Sequence, residues 1–163
     1  MARWSANVPT WTPVAVADTT NFTDAGYMAL QGGSATQRSN IVEVFMGGQA
    51  GASSPSIMLV ARDSTVGVTL SVGRLAALDP HSAALAAPPV VFNTATTKPQ
   101  RSATLSLLNL SFNAFGGIVR WVAAPGEQIS SVGASANLGE VSLSAFTGGT
   151  PGLMGSHLIY EPF

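Results

Sequence analysis

The stretch FNAFGGIVRWVAAPGEQI, residues 112–129, decides how this chain reads. Two turn signals, Gly116-Gly117 and Pro125-Gly126, bound a dense apolar run broken by a single charge, Arg120. A run that short between two breakers reads as a strand over 118–123. The same pattern recurs outward in both directions. Residues 12–17 form a short extended entry segment, and 25–31 a strand ending at Gly32-Gly33. Residues 39–46 alternate, with Val42, Val44 and Met46 on one face and Ile41, Glu43 and Phe45 on the other, and stop at Gly47-Gly48. Residues 56–62 are nearly all apolar, as in a strand buried on both faces. Residues 66–74 place Val68, Leu70 and Val72 on one side. On the far side of the opening stretch, 103–112 is Leu-rich upstream and 127–132 follows the Pro-Gly turn. Residues 138–146 alternate Val141 and Leu143 against Ser142 and Ser144, and 153–160 close the chain.

About nine or ten short strands with no βαβ rhythm predict an all-β, single-domain antiparallel β-sandwich over 21–163. A jelly roll is favoured over a propeller because no repeat of about 40 residues is present. A different Greek-key sandwich fits the same strand pattern. Two regions fall outside it. Residues 1–20, with Trp4 and Trp11 among prolines, read as an extended N-terminal arm, since exposed Trp is costly unless covered. Residues 75–101 carry Pro80, Pro88, Pro89 and Pro99 and read as one long crossover loop, lying on a neighbour or on its own sandwich. The one helix-friendly piece, 81–87, has room for one or two turns before Pro88-Pro89 stops it. Asp18 and Asp24 flank a turn, and 148–152 is a glycine-rich hairpin connection.

The chain has 163 residues, enough for one buried core, and a formal net charge of −1. Its basic residues are scattered, so no footprint for nucleic acid is expected. Charged residues make up 9% of the chain, against roughly 25% in an ordinary soluble domain. Lys98 is the only lysine. A surface so poor in charge costs little to desolvate, which points to a subunit covered by partners. Without cysteine there is no disulfide, thiolate metal site or Cys nucleophile. Polar residues and prolines interrupt the N-terminus where a signal peptide needs an apolar run. The longest apolar run, 85–92, is too short to span a membrane.

Groups for catalysis are few. His81 and His157 are the only histidines, and a triad with Asp63 or Asp79 lacks a Gly-x-Ser-x-Gly elbow. His81 reads as a solvated loop residue and His157 as a strand residue with one bonded nitrogen. No ligand spacing for zinc or calcium is present, and no cofactor is expected. Trp121, Tyr27 and Tyr160 could stack on a sugar, but Trp121 fits core packing better. The reading is therefore non-enzymatic. Arg62, Arg120 and Glu43 stand out as charges inside strands otherwise fit for burial. Such a charge pairs or points into an interface, and Glu43 with one of the arginines is the expected pair.

Three segments carry a resemblance: 96–101, TTKPQR; 107–117, LLNLSFNAFGG; and 120–127, RWVAAPGE. With IVEVFMGG at 41–48 and EVSLS at 140–144, they resemble small structural proteins of phages and prophages from about residue 25 to the C-terminus. The resemblance implies a virion component of a tailed bacteriophage, made in the host cytoplasm and mounted on the capsid surface. Small jelly-roll proteins of that kind act as capsid decoration, or cement, proteins. They form trimers that bridge neighbouring major capsid protein subunits, with neither nucleic acid nor membrane as partner. On that reading Trp4, Trp11, Phe92 and Arg101 are contact residues, with Arg120 and Glu43 at a subunit boundary as an option. The alternatives are another virion part (head fibre base, tail or receptor-binding module) and a carbohydrate-binding sandwich.

Overall fold

The computed structural model describes residues 2–13, 21–22, 26–70, 73–133, 138–147 and 152–163. Residues 14–17 of the entry segment, Asp18, Asp24, Val72 and most of the 148–152 connection lie outside them. The strands in chain order are β1 (Trp4–Trp11), β2 (Met28–Gln31), β3 (Ser39–Gln49), β4 (Pro55–Thr65), β5 (Val68–Leu70), β6 (Arg74–Ala77) and β7 (Val90–Phe92). They continue with β8 (Ala95–Thr97), β9 (Gln100–Asn113), β10 (Phe115–Val122), β11 (Ile129–Ser131), β12 (Val141–Thr147) and β13 (Met154–Pro162). No helix occurs among the described residues, so none is long and apolar enough to cross a membrane.

The strands form two antiparallel sheets. Sheet A runs β10-β3-β13-β1-β6, with β11 following β10 along the same side of β3. Sheet B runs β7-β2-β12-β4-β9, and β5 and β8 form a separate pair. The core lies between the sheets, because period-two alternation turns every second side chain inward. Sheet A contributes Ala6, Val8, Trp11, Val44, Met46, Met154, Leu158 and Tyr160, and sheet B Met28, Leu30, Met58, Val60, Val141, Leu143 and Ala145. The opposite face of sheet B carries a second, smaller cluster of Phe22, Tyr27, Ala29, Phe92 and Ala95.

Several sequence expectations hold. Val141 and Leu143 point into the core, and Ser142 and Ser144 to the other face, where they too are buried. Pro125-Gly126 makes the turn its residues prescribe: Glu127 N donates to Ala124 O at 2.9 Å, and Gly126 takes φ +88.

Other expectations are corrected. Residues 4–11 are not an arm but a strand held between β13 and β6. Residues 75–101 are not one long loop: they contain β7, β8 and most of β6, and Phe92 is buried against the chain's own sheet. The helical turns at 81–87 are replaced by a tight turn in which Ser82 N donates to Asp79 O and His81 N to Asp79 Oδ1. An Asp-Pro start closes an Asx turn more readily than it nucleates a helix.

Strand β3 runs through Gly47-Gly48 instead of stopping there. A Cβ on Gly48 would lie 2.6 Å from Ala114 Cβ, so glycine here serves a close approach of two chain segments. The face assignment in β3 changes as well. Ile159 is opposite Glu43 but Tyr160 is opposite Ile41, so Val42 is an extra residue in the ladder. This bulge switches the phase and puts Ile41 in the core with Val44 and Met46. The Gly116-Gly117 pair likewise forms a bulge inside β10, with Gly116 at φ +67, while the chain reverses one step earlier at Ala114. Asn113 pins that reversal: its Oδ1 accepts from Ser54 N and Phe115 N, each at 3.0 Å.

Candidate functional site

Three features of the folded chain could carry function: the outer face of sheet A, an acid pair on the outer side of sheet B, and the side where β9 and β10 end the two sheets.

On sheet A, Ile118, Arg120 and Val122 alternate outward from β10, with Arg120 directly opposite Phe45 of β3. The Arg120 guanidinium lies 5.2 Å from the Phe45 ring centre and reaches Glu43 Oε2 at 2.7 Å. Arg3 approaches Glu43 at 3.8 Å and Glu161 at 3.0 Å, extending the network across β3 and β13. His157 stacks on the other side of Phe45 at 5.5 Å, and its Nε2 shares a hydrogen bond with Ser5 Oγ at 2.9 Å. Burial holds His157 below the usual imidazole value, and the Glu43 carboxylate partly offsets this. Beside these rings Gly47 and Gly155 face each other across β3 and β13. With no side chains there, the sheet face has a notch of about 390 Å³, walled by Phe45, His157, Ile118 and Pro9. Its shape and lining suit an apolar side chain.

The Arg120–Glu43 pair agrees with the sequence expectation for those charges. It lies on a half-exposed face, with Arg120 56% and Glu43 14% exposed at the side chain, so solvent screens much of its attraction. A double-mutant cycle of Arg120→Ala and Glu43→Ala is expected to give a coupling of about 0.5–1 kcal/mol. A coupling near zero in denaturant titrations would mean that the pair is only positional. Arg62, the third charge noted from sequence, donates from Nη1 to Ser130 O at 2.8 Å and Leu138 O at 3.0 Å. It thereby ties β4 of one sheet to β11 of the other.

The acid pair was not anticipated. Asp63 and Glu140 are both essentially without solvent exposure. Glu140 accepts from Gln31 Nε2 at 2.8 Å and from Gly67 N at 3.2 Å. Asp63 Oδ1 accepts from Ser142 Oγ at 2.6 Å. The two carboxyl groups are neighbours, so the charge of one bears on the protonation of the other. Asp63 Oδ2 has no hydrogen-bond partner among the described residues. Burial pushes the Asp63 carboxyl up to about 9, with the Glu140 charge adding to the shift and the Ser142 hydrogen bond opposing it. Burial raises Glu140 too, against its hydrogen bonds from Asp63, Gly67 and Gln31. A signal existed in the sequence: Asp63 continues the outward parity of Leu59 and Ala61 in a strand buried on both faces. Among the described residues no group of three or more His, Cys, Asp or Glu could hold a metal.

The expected contact residues are placed as follows. Trp11 is 1% exposed, in the main core, and its Nε1 donates to Ser156 Oγ at 2.7 Å. Phe92 is fully buried against Tyr27, and Arg101 is buried with its guanidinium 6.0 Å from the Phe146 ring centre. These three side chains are turned into the chain's own fold because β1, β7 and β9 are sheet strands, not arms. Trp4 is half-buried against the core. The three aromatics considered for a sugar face are scattered: Tyr160 and Trp121 pack on the main core and Tyr27 on the smaller cluster.

The third feature is an open side. Leu108, Leu110 and Phe112 of β9 and Val119 and Trp121 of β10 point between the sheets and touch the core, yet remain partly exposed. Around them Ile57, Leu105, Leu107, Phe115, Ile118 and Val122 are exposed, Ile118 to 71%. Comparison with known proteins finds no matching family model, curated protein or solved structure.

Proposed function

We propose that this chain is a structural component of a tailed-phage virion: a decoration, or cement, protein that binds the outer surface of the capsid shell as a homotrimer. It stabilises contacts between major capsid protein subunits by covering their junctions. The observation that carries this reading is a chain with only 9% charged residues that leaves a group of large apolar side chains exposed around β9 and β10. Exposed apolar surface of that extent marks a contact face. The resemblance of its short motifs to those of phage structural proteins points the same way.

The fold proposed with it is a jelly roll. The strand orders β1-β13-β3-β10 and β2-β12-β4-β9 support it, since they are those of two interleaved Greek keys divided between two four-stranded sheets. A rigid sandwich of this kind works physically. Each copy adds a contact of moderate area, and many copies repeated over a shell add by multivalency.

The test is cosedimentation of the purified chain with expanded shells that lack it, followed by heating. Saturable binding at fixed positions, with shells that rupture at higher temperature, is the expected result. Absence of binding, or density for the chain only on the tail, overturns the reading.

A further inference from the structure

We propose that the open side formed by β9 and β10 is the surface through which copies of this chain associate with one another. This deepens the reading above and rests on its multi-copy assembly, but it is tested without a shell.

The two strands end different sheets and are joined at Ala114, so both sheet ends lie on one side of the sandwich. Apart from an isolated bridge between Asn21 and Gln100 at the start of β9, each pairs on one flank only, β9 with β4 and β10 with β3. Their other flanks present backbone donors and acceptors without a ladder partner among the described residues. The core is open sideways here, whereas inward side chains of the central strands are fully covered. The opposite side of the sandwich is built differently. It ends in β6 and β7, of only 4 and 3 residues, with Arg74 on the one and Pro88-Pro89 before the other. Short strands, charge and proline are the usual protection of a sheet edge. Strand β9 has 14 residues, irregular against β4 from Gln100 to Leu108 and in unbroken register from Leu108 to Asn113.

Charge says which partner fits. From Ser102 to Val119, eighteen consecutive residues, no residue is charged. The next, Arg120, is already engaged by Glu43. A surface that meets its own copy brings every charge against a like charge or a symmetry-related one, and an uncharged surface avoids that cost. A different partner chosen by charge would find nothing to recognise. Size agrees: β9 runs along the eleven residues of β4, roughly 36 Å, and two sheets about 10 Å apart with their edge side chains make the side roughly 20 Å wide. That is on the order of 700 Å², comparable with the roughly 800 Å² each partner buries in a stable interface.

The experiment is light scattering after size exclusion on the full chain at tens of micromolar. The wild type is expected at a multiple of its 16.6 kDa chain mass. The L107K/I118K variant, altered at two exposed positions, is expected at the single-chain mass with an unchanged circular dichroism spectrum. Ala76→Lys, on exposed β6, should leave the multimer intact. Because the chain has no cysteine, Asn109→Cys gives a second reading that does not weaken the fold. Oxidation should link copies through Cys at 109, and not in the matching Ala76→Cys variant. A monomeric wild type, a multimer that survives L107K/I118K, or linkage only through position 76 overturns the proposal. A multimer that ignores shells would sink the shell reading alone, and a monomer that decorates shells would sink this one alone.

Discussion

Between pH 7 and pH 9 the chain is expected to lose stability, and Asp63→Asn is expected to abolish most of that loss. The folded Asp63 carboxyl is held up to about 9, whereas an unfolded aspartate loses its proton near 3.9. Throughout that interval the folded state binds a proton that the unfolded state does not. The contribution is therefore fully present below about pH 4 and is lost as pH rises toward 9, at about 1.4 kcal/mol per pH unit for one proton. Glu140, also raised, acts in the same direction. Over pH 7 to 9 the decrease should be about 2 kcal/mol, because the slope flattens as the folded group itself titrates. His157 does not interfere there, because its depressed value keeps it neutral and an unfolded histidine is mostly neutral above pH 7. Asparagine at 63 still accepts from Ser142, offers an amide proton toward Glu140, and has no proton to lose. Urea midpoints at several pH values check this. A wild-type profile that is flat from pH 7 to 9, or a slope unchanged in Asp63→Asn, would show that the pair does not hold its proton in the folded state.

Trp11→Ala is expected to cost about 3–5 kcal/mol, enough to unfold much of a marginally stable population. Its ring is fully inside the main core and its Nε1–H is bonded to Ser156 Oγ across β13. Removing it creates a large cavity and leaves a buried hydroxyl with one partner fewer. Trp11→Phe keeps most of the volume and should cost far less, about 1–2 kcal/mol, through the hydrogen bond and a smaller void. A chain starting at residue 12 should not fold, because β1 is an interior strand whose loss strips one flank from both β13 and β6. These results separate a strand from an arm: an arm could be removed with the sandwich's unfolding midpoint unchanged. A loss below about 1 kcal/mol for Trp11→Ala would restore the arm.

Much of the sandwich was legible because its signals are local. Alternation in 138–146 prescribed which side of β12 faces the core, and Pro125-Gly126 prescribed its own turn. The apolar run of β4 announced a strand covered on both faces, although Ile57 at its start is exposed. Charges embedded in strands pointed to Glu43 with one of the arginines, and Arg120, on the adjacent strand, is the one it meets. The candidate contact residues were read less well. Tryptophans among prolines look like an arm in sequence, since nothing near Trp4–Trp11 shows that β13, about 150 residues later, supplies its ladder.

The all-β class, the order of most strands and the Pro125-Gly126 turn follow from the amino-acid order alone, because these depend on alternation and on backbone preferences of neighbouring residues. The remaining features come from contacts between distant segments. The bulge at Val42 arises from matching β3 to β13, and it alone moves Ile41 into the core. Asp63 and Glu140 become a buried, interacting acid pair through the close approach of two segments 77 residues apart. The side at β9 and β10 is open because no later segment among the described residues returns to cover it. Each of these depends on register between strands distant in the chain, and a shift of one residue would reverse every face involved.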